Sequence, residues 1–105
     1  MHSMSLLELR VPAENVDAVV AYYREAQVLE SSGAVSAQLL VDPADPTRIL
    51  VTAWWEDQAG YDNWLHSPVR TEFSAGIAEA AGPDLTASNH EFRVAHATHT
   101  DGQTS

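Results

Sequence analysis

Apolar residues recur along this chain with two periods, and the switches between those periods delimit its elements. Residues 5–11 alternate, with Leu7, Leu9 and Val11 on one face, as a half-buried strand requires. Pro12 turns the chain into a helix. Glu14 and Asp17 place negative charge at the positive end of that helix. Val16, Val19, Val20, Tyr23 and Gln27 keep i, i+3, i+4 spacing and predict its buried stripe, and Ser31, Ser32 and Gly33 stop it. Residues 35–41 predict a second strand, with Val35, Ala37, Leu39 and Val41 sharing a face. The run Asp42-Pro43-Ala44-Asp45-Pro46 is too proline-rich to pair in a sheet and reads as a turn. Residues 48–56 predict a third strand. Asp57 is placed to cap a helix in which Tyr61, Trp64, Leu65 and Pro68 keep helical spacing. Pro68 opens a further helical piece with Val69, Phe73 and Ile77 turned inward, and Gly82-Pro83 ends it. Residues 89–97 predict the last strand. The order β-α-β-β-α-β is the split βαβ pattern of a ferredoxin-like α+β fold with an antiparallel sheet. One domain is expected over residues 1–97, followed by a flexible polar tail at 98–105. There is no internal repeat.

The third strand changes this picture from one chain to two. Ile49, Val51, Ala53 and Trp55 fall on one face, and Leu50, Thr52, Trp54 and Glu56 on the other. A strand covered on one side alternates apolar with polar, whereas this one is largely apolar on both. Helices cover only one face of a four-stranded sheet in this topology. Two sheets meeting face to face would bury Leu50 and Trp54 of both copies. A buried tryptophan removes about 150–250 Å² from water, worth several kcal/mol at about 25 cal/mol per Å² before the cost of association. The expectation is a homodimer in which two subunits form an α+β barrel.

Composition narrows the chemistry. The 105 residues include no cysteine, which excludes disulfides, thiolate metal sites and cysteine nucleophiles and fits a reducing cytoplasm. The formal net charge is −10, and the basic residues are five arginines with no lysine. Nucleic acid and an anionic membrane surface would both repel such a chain, and Schiff-base chemistry lacks its lysine. No apolar run is long enough to span a bilayer, and no basic-then-apolar leader is visible at the N-terminus. Ser-His-Asp, phosphate-loop and HExxH arrangements are absent from the sequence. The expectation is a cytoplasmic protein without nucleic-acid or membrane partners.

The segment Trp55-Glu56, Tyr61, Trp64, Ser67-Pro68 resembles the W-E-x-x-x-x-Y, aromatic-helix and S-P pattern of the antibiotic biosynthesis monooxygenase domain family, small proteins of the dimeric α+β barrel type. The resemblance extends over about residues 5–97, with its motif confined to residues 48–73. It implies a pocket between helices and sheet in each subunit. In some members that pocket oxidises a polyphenolic ring to a quinone with O₂ and no flavin, metal or haem, the substrate itself giving the electron to oxygen. Trp55 matches a pocket-lining tryptophan, and Tyr61 a tyrosine that hydrogen-bonds a substrate oxygen. Val51 stands where those enzymes place an asparagine, and Ser74 where they place an arginine. Leu39 and Leu40 occupy the region of a second-strand histidine. Haem-degrading relatives share Trp64, but Ser74 cannot replace their haem-ligating histidine, so no haem is expected.

The residues by themselves leave alternatives. Tyr61 is a hydrogen-bond donor to a phenol, a proton acceptor if its pKa were depressed, or a core tyrosine. Trp55 is an aromatic wall or plain core, and Trp64 a wall residue or helix packing. His66, just before the Ser-Pro break, is a candidate general base or a solvated helix-end histidine. Arg70 is a partner for an anionic substrate or for Glu72 or Asp62. His90 and His96 lie six residues apart on the predicted last strand, too far to share one ion, and His99 adds only a tail position. The expected site is therefore Tyr61 and His66 as catalytic groups, with Trp55, Trp64, Val51 and Ser74 binding a small aromatic substrate beside O₂, and with no metal or cofactor. The alternatives are a non-catalytic dimeric module that binds a small molecule or a protein, and a non-oxidative isomerase or cyclase.

Overall fold

The computed structural model describes residues 2–98. It contains strands β1 (Ser3–Arg10), β2 (Ser36–Val41), β3 (Arg48–Trp55) and β4 (Thr86–Arg93) and helices α1 (Val16–Glu25), α2 (Gln58–Leu65) and α3 (Pro68–Ala81), with a 3₁₀ turn at Ala13–Asn15. The strands pair antiparallel in the order β2-β3-β1-β4. Strands joined by a helix are thus separated by a third strand, which is the ferredoxin-like arrangement predicted from the element order. The predicted tail lies, apart from Thr98, outside the described residues, and so does His99.

Register fixes the two faces of the sheet. Leu9 pairs with Ile49, and Ser5 with Ala53. The odd-numbered residues of β1 and β3 therefore face the helices. Leu9, Val11, Val16, Val19, Tyr23, Ile49 and Ile77 form the main core there. Their even-numbered neighbours face away. Met4, Leu6, Leu50 and Trp54 are half-buried on that open face, with Leu40 of β2 and Phe92 of β4 exposed beside them. The His2 ring packs on Trp54 at 5.7 Å.

Several bounds and one buried stripe differ from those the sequence pattern predicts. The first strand starts at Ser3 rather than Ser5, because Ser3 pairs with both Trp55 and Arg93. α1 ends at Glu25, and Gln27 is not in its stripe. Gln27 takes a positive φ of 57°, and the Val28 N–H reaches back to the Tyr23 carbonyl at 3.2 Å. That is a Schellman end with glutamine in the left-handed position, and Val28 fills the core in its place. Val69, expected inward, is 43% exposed. The buried side of α3 runs one residue further along, through Arg70, Phe73 and Ile77. The last strand is Thr86–Arg93, not 89–97, because it pairs along the whole of β1 from Arg10–Thr86 to Ser3–Arg93. His90 stays on it and His96 falls beyond it. Val35 lies just outside β2 and is 59% exposed, although its N–H still bonds the Trp54 carbonyl at 2.8 Å.

Local chemistry explains the helical segment between β3 and β4. The Asp57 carboxylate accepts from the Gly60 N–H at 3.1 Å and starts α2. The Ser67 hydroxyl accepts from the Val69 N–H at 3.2 Å, with Pro68 in the first turn of α3. Asn15 ties the far end of α3 to the start of α1, its Nδ2 donating to the Ala81 carbonyl at 2.8 Å. At Gly76 a side chain would overlap the Tyr22 phenol ring, so this glycine lets α1 and α3 approach closely.

Candidate functional site

The helix-covered face of the sheet and the α2–α3 pair do not close completely. Between them lies a cavity of about 80 Å³, open to one side and lined mainly by apolar groups. One water needs about 10–15 Å³ on this scale, and an engineered cavity of about 150 Å³ takes benzene. The space therefore exceeds a packing defect; one aromatic ring would occupy it, and a larger ligand would extend through its open side.

Trp55, at the end of β3, forms the inner wall. It is 2% exposed, and its Nε1 donates to the Ser5 hydroxyl at 2.9 Å. Tyr61 of α2 packs its ring 5.5 Å from the Trp55 ring at 44°. Trp64, one turn on, meets Phe73 of α3 at 6.3 Å and 42°. Val51 and Ser74 also border the cavity, Val51 half-buried on β3 and Ser74 at the exposed rim. The structure thus brings Trp55, Tyr61, Trp64, Val51 and Ser74 to one cavity.

His66 is not among them. It caps the C-terminus of α2, and its Nδ1 lies 2.8 Å from the Asp62 carbonyl. A carbonyl oxygen only accepts, so Nδ1 carries the proton there. The ring is exposed and borders no part of the cavity. The helix end that His66 terminates holds it outside, so the general-base assignment loses its geometry. The alternative role of Tyr61 as a proton acceptor requires a depressed pKa. Its pKa is raised, chiefly by burial, with Glu91 and Asp62 adding to the rise and Arg70 opposing it. The rise favours the neutral phenol over the phenolate.

Arg70 is the residue the sequence reading undervalued. It borders the cavity half-buried, and neither of the expected partners, Glu72 and Asp62, pairs with it. The ion pairs among the described residues belong to Arg10 and Arg48, which join Glu8, Asp42 and Asp45 at one end of the sheet. Tyr23 was placed in the core stripe and is also a cavity residue. Burial pushes its pKa up to about 12, with the Arg70 charge acting against the rise. Asn89 of β4 supplies a further polar group. The spacing Arg70, Phe73, Ser74, Ile77 is i, i+3, i+4, i+7, a stripe that could have flagged Arg70 had the charge not argued for solvent.

The antibiotic biosynthesis monooxygenase family model matches residues 4–76, from the second residue of β1 to Gly76 within α3. This chain belongs to the antibiotic biosynthesis monooxygenase family. Solved structures of the same fold agree. The cofactor-independent oxygenase SnoaB from Streptomyces nogalater is 17% identical, with 91% of this chain and 95% of that one covered and a TM-score of 0.69. A single-substitution mutant of SnoaB superposes with a TM-score of 0.72 at 15% identity and the same coverage. Rv0793 from Mycobacterium tuberculosis is 11% identical, with 93% of this chain and 100% of that one covered and a TM-score of 0.68. At such identities the likeness carries the fold. No curated protein matches this chain. No helix among the described residues is long and apolar enough to cross a membrane. No group of three or more His, Asp or Glu side chains is arranged to hold a metal ion among the described residues.

Proposed function

We propose that this member of the antibiotic biosynthesis monooxygenase family is a cofactor-independent oxygenase that converts a small aromatic phenol to a quinone with O₂. The observation that carries this reading is the convergence of Trp55, Trp64 and the neutral donor Tyr61 on one apolar cavity. Family membership and the fold shared with SnoaB, itself described as a cofactor-independent oxygenase, support it.

The reaction balances without a further reductant. A phenol and O₂ give a quinone and water, and all four electrons that reduce O₂ come from the ring. The ionised phenol passes one electron to O₂, and the aryloxyl radical and superoxide join at a ring carbon. The peroxide formed there loses water as the carbon gives up its proton, leaving the second carbonyl. The chain's part is to hold the ring between Trp55 and Trp64, to exclude bulk water, and to donate from Tyr61 to the phenolic oxygen as charge builds on it. The phenol proton leaves through the open side of the cavity.

The same proposal includes the homodimer. Two copies meeting through the open sheet face would cover Leu6, Leu40, Leu50, Trp54 and Phe92, which otherwise form one apolar patch.

Oxygen uptake with a panel of anthrones and naphthols tests the oxygenase. Turnover that falls in Tyr61→Phe without loss of fold is expected. Binding without oxygen uptake for every phenol would favour a second reading, a non-catalytic small-molecule module. That reading draws on Val51, which puts an apolar side chain on the β3 wall of the cavity.

A further inference from the structure

Three polar groups border this apolar cavity without a side-chain partner among the described residues. The Tyr23 and Tyr61 hydroxyls belong to side chains only 4% and 6% exposed. Neither they nor the Arg70 guanidinium makes an ion pair or side-chain hydrogen bond among the described residues. Buried polar groups are almost always satisfied, and a partly buried cation without a counter-ion is more costly still. The shortage is not one of acids, since Asp and Glu number 15 against five arginines. Arg10 and Arg48 each hold two carboxylates. Arg70 alone of the five is turned to the cavity.

We propose that the ligand of this cavity is an aromatic monocarboxylate, its ring between Trp55 and Trp64 and its carboxylate on Arg70. The inference rests on the cavity being the ligand site and names the substrate class that the oxygenase reading leaves open. The phenolic oxygen is served by the two tyrosines and is charged only once its proton has left, whereas a cation without a partner matches a group that is charged throughout. A planar guanidinium presents paired donors that match a carboxylate. The charge must be single. Glu91 of β4 and Asp62 of α2 lie near enough to Tyr61 to act on it, and the chain carries a net charge of −10, so a dianion such as a phosphate ester would be repelled.

The test is calorimetric titration of the full chain with 1-hydroxy-2-naphthoate and with its methyl ester, which removes the charge and keeps the ring. The acid is expected to bind at least about tenfold tighter than the ester. Arg70→Gln is expected to bring the acid down to the affinity of the ester and to leave the ester unchanged, and Arg70→Lys to restore part of the preference. Glu91→Gln should tighten the acid, by removing a negative charge that acts on the cavity at Tyr61, and leave the ester as it was. Should Arg70→Gln not fold, the acid-to-ester ratio of the unsubstituted protein stands as the test. A saturable shift of the Arg70 side-chain N–H resonance with the acid alone would support it in the same sample. Equal binding of acid and ester, no binding of either at millimolar concentration, or an equal loss of both in Arg70→Gln would overturn the proposal. Oxygen uptake separates the two readings. Acid bound through Arg70 without turnover would sink the oxygenase and leave this inference standing. Oxidation of neutral naphthols with equal binding of acid and ester would do the reverse.

Discussion

The indole N–H of Trp55 is held by the hydroxyl of Ser5, 2.9 Å away across the β1–β3 pairing and out of solvent. Ser5 is a small polar residue on the buried face of a strand, and its one visible task is to satisfy that indole. Ser5→Ala would leave a buried donor unpaired, at a cost of about 1–2 kcal/mol. Urea unfolding followed by circular dichroism should show a lower midpoint with an unchanged slope.

Gln27 ends α1 in a conformation that a side chain disfavours, with φ at 57°. Glycine adopts it without steric cost. Gln27→Gly is expected to stabilise the fold by about 0.5–1 kcal/mol, the left-handed penalty less the extra freedom of the unfolded chain. A rise in melting temperature of a few degrees is the readout, and a fall would count against the Schellman end.

Gly76 faces Tyr22 where a Cβ would overlap the phenol ring. Gly76→Ala gains in helix propensity, worth about 1 kcal/mol, yet the Tyr22 ring must swing aside or α1 and α3 must part. Overpacking of that kind costs about 1–3 kcal/mol. A net loss of stability is expected, and the double variant Gly76→Ala with Tyr22→Phe should recover little of it, because the ring carbons overlap as well as the oxygen.

Alkali should reveal Tyr23. Its folded pKa is about 12 against a reference of 10.0, with burial the main cause. Folding therefore favours the neutral phenol. The stability this contributes is complete below pH 10 and is lost as pH rises towards 12, a loss of about 2–3 kcal/mol over two units. Tyr61 shifts in the same direction. In Tyr23→Phe the fall in denaturant midpoint above pH 10 should be shallower than in the unsubstituted chain.

The proposed dimer is tested on the far side of the sheet from the cavity. Leu50→Asp puts a charge at the centre of the open face, where Leu50 pairs with Leu40 and Glu8. Sedimentation at micromolar concentration is expected to show half the mass of the unsubstituted protein, with the far-ultraviolet spectrum kept. An unsubstituted protein that sediments as a monomer would remove the dimer.

Much of the architecture could be read from neighbouring letters. Asp57 before α2, Ser67-Pro68 before α3 and the alternation in β3 act within a few residues, so the chain states them locally. What escaped the reading depended on distant partners. Ser5 matters because of an indole 50 positions away. The ends of β4 are set by the length of β1, against which it pairs, while its own eight residues are all exposed and carry no burial pattern. Gln27 gives no sign of a positive φ, since glycine is the residue that marks such a turn. On α3, an apolar Val69 drew the stripe one residue too early, and the charge on Arg70 disguised a cavity position. Trp55, Tyr61 and Trp64 were legible as neighbours around one cavity because they sit on segments whose bounds were legible. His66 was misplaced because a helix-terminating ring looks the same in sequence as a ring aimed inward.

The two adjacent tryptophans of β3 have a consequence for how such a protein diversifies. Trp55 belongs to the cavity and Trp54 to the opposite surface, one peptide bond apart. Odd positions of this strand can therefore drift toward new guests while even positions keep the surface proposed to join two copies. A single eight-residue stretch carries two independent vocabularies, interleaved letter by letter.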